Sequence, residues 1–394
     1  MKILQLHNRY QIIGGEEGVV QAENTLLTQN GHTVELLEVT NDRISGIRAK
    51  LGAAIGAIYS HKSKQQVHAA IQTFRPDIVH VHNFFPLLSP SIYDACQRCR
   101  IPVVQTLHNY RLICPKAMLF RDNQLCEVCV GKPFALQGIR SGCYRGSRSQ
   151  TAVVAAMLAF HTARGTWRNQ VSAYIALTDF QKQKLIQGGL PAHKIHVKPN
   201  FIDLPTPSKS LSPRENFVLF VGRLAEEKGV RLLIDAYTQD AHTQDSNLPY
   251  LKLVGDGPLK DQLIQQVAAT GMSDRITFLG RQDKPQVLDL MQRAQVLVFP
   301  SIWYEGFPLT LAEAFACGLP AIVPNLGSMA EIVTPGVTGF HFIPQSSSDL
   351  LKTLRSTLSS DLPQLSRQAS QVYQNNYTGS LNYDRLMSIY QGLR

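Results

Sequence analysis

Two glutamates frame the segment Glu305-Gly306-Phe307-Pro308-Leu309-Thr310-Leu311-Ala312-Glu313, which follows an apolar run ending at Val298-Phe299-Pro300-Ser301. The pattern reads as a strand-to-helix turn. Pro308 suits the first helical position, because its ring presets φ and its missing N–H is one the helix does not use. Glu305 then lies in the loop and Glu313 inside the helix, while the backbone N–H groups of Leu309 and Thr310 have no intrahelical acceptor. Such a helix start attracts a diphosphate through those N–H groups and the helix dipole, and carboxylates on either side accept hydrogen bonds from sugar and ribose hydroxyls. By spacing alone, a solvated pair of glutamates on an ordinary helix is the alternative.

A second cluster, Gly222-Arg223-Leu224-Ala225-Glu226-Glu227-Lys228-Gly229, follows the apolar run Phe217–Val221. Gly222, Arg223 and Lys228 are thereby placed at the carboxyl end of a strand, where open α/β sheets bind ligands. A fixed guanidinium and an ammonium neutralise a leaving diphosphate without a metal ion, although a solvent-exposed basic turn has the same composition. Gly255-Asp256-Gly257-Pro258 and the segment from Asn325 to Glu331 read as loops at further strand ends, where glycines let backbone approach a ligand closely. In the first half of the chain, Thr106-Leu107-His108-Asn109 and Gly14-Gly15-Glu16 also close strands. His108 is placed to contact a transferred group, though a lone histidine is more often a satisfied structural one.

Holding these residues in position calls for two α/β domains. At 394 residues the chain exceeds one ordinary core and suits two domains of roughly 150 to 200 residues. Residues 2–7 read as a buried strand, followed by Gly14-Gly15 and a helical pattern from Glu17 to Gly31, the opening of a nucleotide-binding fold. Apolar runs at 77–81 and 102–107 alternate with helix-length segments, and after a Pro/Ser-rich linker at 205–213 the alternation restarts at 217–221, 251–254, 276–279, 296–299 and 321–323. Two parallel sheets, each covered on both faces, follow from this reading. The domains are assigned as 1–200 and 201–375.

Four of the seven cysteines, Cys114, Cys126, Cys129 and Cys143, fall in a Gly/Arg-rich insertion at 110–149. A Cys-x-x-Cys pair flanked by two single cysteines fits a tetrahedral thiolate site, with zinc the first occupant and an iron–sulfur cluster the second. Disulfides or unlinked thiols are the alternatives. Cys96-x-x-Cys99 and Cys317 fall on helical patterns and read as structural. Residues 1–200 hold 23 Lys/Arg against 11 Asp/Glu, so the whole excess of the +10 formal charge sits in the first half. That half suits an anionic partner such as a phospholipid surface or a pyrophosphate-linked lipid. The stretch Arg43–Ile58 spaces apolar residues helically among basic ones, as a membrane-surface helix or a sheet-packing helix would. No apolar run reaches the 18 or so residues of a membrane span, and none at the N-terminus resembles a signal peptide. A cytoplasmic location, with association on the membrane's cytoplasmic face, is the expectation. Neither an aromatic-basic RNA motif nor a helix-turn-helix spacing is found, so no nucleic-acid partner is expected.

Taken together and in this order, the motifs resemble the retaining GT-B glycosyltransferases, the family 4, group 1 type enzymes of polysaccharide and lipopolysaccharide synthesis. The resemblance implies two Rossmann-like domains facing across a cleft, a UDP- or GDP-sugar donor, a glycan or lipid-linked acceptor, and no catalytic metal. It implies that Arg223 and Lys228 bind the diphosphate, Glu305 the donor sugar's hydroxyls, Glu313 the ribose, and His108 the sugar from the other domain. Gly222, Leu309, Thr310 and Gly15 fall at the family's backbone contacts to the donor and its glycine loop. A closing helix at 376–394 looks like the family's last helix, which packs back on the first domain. The sequence departs from the common pattern with Phe307-Pro308 where Phe-Gly is frequent, and Gly14-Gly15-Glu16 matches the glycine loop only loosely. A sugar-nucleotide epimerase or hydrolase of the same fold, a phosphorylase, and a non-catalytic anion binder are the competing classes.

Overall fold

The computed structural model describes residues 1–9, 15–40, 55–204, 214–243 and 247–393. The expected linker at 205–213, Gly14, and most of the basic amphipathic stretch from Arg43 lie outside the described residues. The chain forms two compact units. One comprises Met1–Arg121, Cys126–Asn200 and the residues from Gly379 onward, and the other comprises Asp122–Leu125 and Phe201–Thr378.

In the first unit six strands form one sheet: β1 (Lys2–Arg9), β2 (Thr33–Thr40), β3 (Ile78–Asn83), β4 (Val103–Thr106), β7 (Ala173–Ala176) and β8 (Ile195–Val197). Two-residue strands β5 (Phe120–Arg121) and β6 (Gln124–Leu125) lie in the cysteine-rich insertion. The order is β2-β1-β3-β4-β7-β8, with every neighbouring pair parallel. Strands β3, β4 and β7 are buried along their whole length, as both faces of a parallel sheet are covered. Edge strand β2 instead alternates, with Glu35 and Glu38 exposed, which discourages pairing with another chain.

The helix Gly379–Gln391 belongs to this unit. Its Leu386, Ile389 and Tyr390 join a core cluster with Ile3, Ile78 and Ile175. Polar contacts fix its rotation: Tyr390 Oη lies 2.7 Å from His80 Nδ1, and Asn382 accepts from Lys198 Nζ at 3.0 Å.

The second unit's sheet contains β9 (Phe217–Val221), β10 (Tyr250–Val254), β11 (Ile276–Gly280), β12 (Val296–Val298), β13 (Ala321–Pro324) and β14 (Gly339–Phe342). They run in the order β11-β10-β9-β12-β13-β14, again all parallel. Residues such as Val218, Phe220, Leu233, Leu251, Val296 and Ile322 form its core. The direction in which successive strands are added reverses between β1 and β3 in one sheet and between β9 and β12 in the other, and the crevice at such a reversal is where open α/β sheets bind ligands. Among the described residues no helix is long and apolar enough to cross a membrane.

Three local expectations are corrected. Pro308 is the N-cap of helix Leu309–Ala316, at φ −73° and ψ 102°, not its first residue. The missing N–H therefore falls one position earlier and leaves the amides of Leu309 and Thr310 as the helix's first two. The segment from Asn325 to Glu331 is no open loop, because Gly327–Ile332 is helical. Cys99 and Cys317 cap the ends of their helices instead of lying within them.

Candidate functional site

In the second unit, the turn after β9 and the turn after β12 meet at the reversal point. Glu305 is buried, at 6% exposure. Its Oε1 accepts from Lys228 Nζ at 2.7 Å, from Ser301 Oγ at 2.7 Å and from Trp303 Nε1 at 2.8 Å. Lys228 also lies over the Phe299 and Trp303 rings, 5.3 and 5.7 Å from their centroids. The two turns are bound to each other through the Glu227 carbonyl, which accepts from Ser301 Oγ and from the Ile302 amide. Gly229, at φ 65°, makes this approach possible: a Cβ there would stand 2.0 Å from the Pro300 carbonyl oxygen. Lys228 and Glu305, far apart in sequence, are thus one unit.

Arg223 is not part of it. Its guanidinium pairs with Glu227, four residues on, and is 54% exposed. Helix Leu309–Ala316 starts without a side-chain cap, so the amides of Leu309 and Thr310 face no capping group of their own helix. Glu313, within that helix, pairs with Lys284, the first residue of helix Lys284–Arg293. Gly255 behaves differently from expectation. At φ 140°, a Cβ on it would lie 1.8 Å from the Gly222 carbonyl oxygen, so its lack of a side chain lets the β10 turn close onto the β9 turn, backbone to backbone. Ser301, Trp303 and Lys284 were not singled out from the sequence. Ser301, Trp303 and Glu305 alternate after a strand end, which is the signal that groups them.

In the first unit His108 lies at the head of a buried polar network. Its Nε2 is 3.2 Å from His82 Nδ1, and the two rings stack at 5.4 Å. His80 and His82 alternate along β3, so they share a face, with ring centroids 4.2 Å apart. His80 bonds Thr106, and Glu23 lies 2.9 Å from His80 Nδ1, 3.2 Å from His82 Nε2 and 3.3 Å from Lys198 Nζ. The Glu23, His80 and His82 ligand atoms lie within 4.8 Å of one another, a spacing that suits a cation. The Lys198 ammonium already supplies that charge, and His80 is committed to Thr106 and Tyr390, so the cluster is an ion-pair network within the unit's core. Burial would raise the Glu23 carboxyl, but His80, Lys198 and His82 hold it well below the usual range. Burial pushes His82 down to about 4 and His108 well below its ordinary value, so both are neutral at neutral pH.

Beside this network, at the carboxyl ends of β1 and β3, His7 and Glu16 stand 3.8 Å apart. Both His7 ring nitrogens and Glu16 Oε1 are buried without a hydrogen-bond partner. Burial, then His82, lowers His7 to about 4, while burial and Glu17 raise Glu16 to about 8. Desolvated titratable groups at a sheet's reversal point mark a candidate site. Gly15, expected at the glycine loop, is the exposed first residue of helix Gly15–Gln29, and Glu16 follows it with a buried carboxyl.

The cysteines of the insertion are all free. Cys114, Cys126, Cys129 and Cys143 line one cavity of about 20 Å³, with Lys116, Arg121 and Gly138 among its other walls.

Two parallel Rossmann-like units, each with its polar cluster at the reversal point, define a GT-B protein of the α/β class. Residues 206–377 match the family described as Glycosyl transferases group 1, and residues 13–205 match Glycosyltransferase Family 4. The chain belongs to these group 1, family 4 glycosyltransferases. An uncharacterized glycosyltransferase of Methanocaldococcus jannaschii is 23% identical over 89% of this chain and 87% of its own length. Glycogen synthase of Mycobacterium tuberculosis is 36% identical over 36% of this chain, which spans only 33% of that enzyme. Among solved structures, Anabaena HepE in complex with UDP and glucose superposes with a TM-score of 0.68 at 20% identity, over 100% of both chains. The lipopolysaccharide outer core galactosyltransferase WaaB gives 0.67 at 18% identity, over 98% of this chain and 99% of its own. At these identities the likeness is one of fold.

Proposed function

We propose that the chain is a retaining glycosyltransferase that moves a hexose-type sugar from a nucleotide diphosphate donor to a glycan or lipid-linked acceptor in cell-surface polysaccharide synthesis. The observation that carries this reading is the convergence of Lys228, Ser301 and Trp303 on one oxygen of buried Glu305. Three donors on Oε1 fix the carboxylate's orientation before any sugar arrives, the kind of preorganisation that binding hydroxyls at a reacting centre requires. An arriving diphosphate competes with Glu305 for Lys228, so donor binding both neutralises the phosphates and frees the carboxylate to accept from the sugar. Arg223 leaves Glu227 to join it, the Leu309 and Thr310 amides contact phosphate oxygens, and Glu313 accepts from the ribose. Gly222 keeps the β9 turn low enough for these contacts.

No carboxylate in this arrangement is assigned as a nucleophile, so same-face attack is the favoured route to retention. The bond from the sugar's anomeric carbon to the diphosphate oxygen breaks as the bond to the acceptor oxygen forms. The acceptor's proton passes to an oxygen of the departing diphosphate, whose charge Arg223 and Lys228 hold. His108, kept neutral by burial, serves as a hydrogen-bonding group toward the transferred sugar, and His7 and Glu16 serve the acceptor side. UDP-sugars are the first donors to test, since HepE binds UDP-glucose, and GDP-sugars the second. A basic first half suits an acceptor carried by an anionic membrane.

Replacing Lys228 by Ala is expected to lower turnover about 100-fold or more, with donor affinity nearly intact. Near-normal turnover would overturn the mechanism. Donor consumption that proceeds equally well without any acceptor would favour an epimerase or hydrolase instead.

A further inference from the structure

Residues 110–149 have little regular structure of their own. They hold two two-residue strands and the five-residue helix Leu136–Arg140. Five non-glycine residues here, Ala117, Leu119, Asp122, Asn123 and Arg145, adopt positive φ, at a cost of about 1 to 2 kcal/mol each for Ala117, Leu119 and Arg145. Something other than local propensity holds this path. The segment also encloses a cavity lined by Cys114, Cys126, Cys129 and Cys143.

We propose that these four cysteines form a tetrahedral thiolate site for a single zinc-type divalent ion, which staples the insertion and holds Arg111 in place. The residue types are right: a Cys-x-x-Cys turn plus one cysteine from each flank supplies four soft ligands, and none is engaged in a disulfide. Backbone bonds present the ligands, since the Cys126 amide donates to Leu119, the Cys143 amide to Gly138 and the Ala117 amide to Cys114. A cavity of about 20 Å³ has room for one water-sized body, such as a single ion. Among the described residues the only group of three or more His, Cys, Asp or Glu ligand atoms within 4.8 Å of one another is Glu23, His80 and His82, so the four sulfurs must draw together to the ~3.8 Å spacing of a tetrahedral Zn–S site when the ion binds.

Binding converts four thiols to thiolates and releases four protons, without any oxidant. The resulting double negative charge is met by Lys116 and Arg121, which line the same cavity. The staple reaches the polar cluster of the first unit through Arg111. That guanidinium donates to the carbonyl of Pro115, next to Cys114. It also lies over the ring of Tyr144, next to Cys143, and over Phe85, with centroids at 5.1 and 4.8 Å. Burial and Glu17 raise the Glu16 carboxyl, and the Arg111 charge opposes them.

The test is metal analysis of the full chain purified without chelator. Close to one equivalent of zinc is expected, with four thiols that react with a thiol reagent only after a chelator removes the metal. Cobalt exchange should give the charge-transfer and intense visible bands of a tetrahedral thiolate site. Below about a tenth of an equivalent of metal, or two disulfides by intact mass, or iron with acid-labile sulfide, would overturn the proposal. Cys126→Ser with Cys129→Ser is expected to lose the metal, whereas Cys99→Ser keeps it; metal retention by the double variant counts against the assignment. Should that variant fail to fold, the chelated native chain supplies the same comparison. One further arm rests on the glycosyl-transfer reading: metal loss should raise the acceptor KM about tenfold, the value of one charge-assisted contact, while donor affinity stays within about twofold. A uniform loss of both would place the staple's effect on folding alone, against the role given to Arg111. The metal and thiol measurements stand whatever the reaction proves to be.

Discussion

At the scale of residues, partnership decides what each titratable group can do. Glu16 illustrates this. Its carboxyl ordinarily ionises near 4.5 and is raised to about 8 in the fold, by burial first and Glu17 second. Between those pH values the folded chain keeps a proton that the unfolded chain has lost, so stability falls as pH rises through this window. Glu16→Gln removes the titration. Its melting temperature should gain on the native chain's between about pH 5 and pH 8.5, and a difference independent of pH would contradict the assignment. His7 works in the opposite sense. Lowered to about 4 from an ordinary 6.5, it contributes stability at neutral pH that is lost as pH falls from 6.5 toward 4. Neither residue stood out in the sequence as a pair. Their side chains meet because β1 ends where the helix from Gly15 begins, and nothing in their spacing says that both are desolvated.

At the scale of elements, the two turns after β9 and β12 show how backbone geometry makes a site. Gly229→Ala places a Cβ 2.0 Å from the Pro300 carbonyl oxygen at φ 65°. Gly31 has a similar φ of 80°, yet a Cβ there meets nothing within 4 Å. Gly31→Ala should therefore cost only the left-handed penalty of about 1 to 2 kcal/mol. Gly229→Ala must cost more, because the turn carrying Lys228 has to move away from Glu305. Urea unfolding should rank the two, and only Gly229→Ala should lower glycosyl transfer. Equal costs would mean that the turns are not locked together. The motif containing Gly229 was readable in the sequence, as were most strands of the second sheet. Strands β2, β7, β8 and β14 were not, because a run of three or four residues, or one broken by glutamates as in β2, is hard to separate from loop unless a turn motif marks its end, as it does after β4, β12 and β13.

At the scale of the whole molecule, charge is the organising feature. The first 200 residues carry 23 Lys/Arg against 11 Asp/Glu, and the insertion adds exposed Val128, Phe134 and Leu136 near the exposed Lys132 and Arg140. Basic residues interleaved with apolar ones suit an anionic lipid surface. Cosedimentation with vesicles of anionic phospholipid is expected at low salt and should weaken as the Debye length shrinks below about 10 Å. Vesicles of neutral lipid should bind little, and equal binding to both would argue against electrostatic attachment.

The sequence by itself determined the class of fold, the family, and the two motifs at the ends of β9 and β12. Alternating apolar runs and turn chemistry are local, and a single chain displays them directly. Only the tertiary structure decided which distant charged groups are partners: Lys228 with Glu305, Glu313 with Lys284, and Glu23 with two histidines and Lys198. It also showed which of these are dry. Ion pairing and burial depend on distances between segments tens to hundreds of residues apart, and strand order, invisible to local spacing, sets those distances.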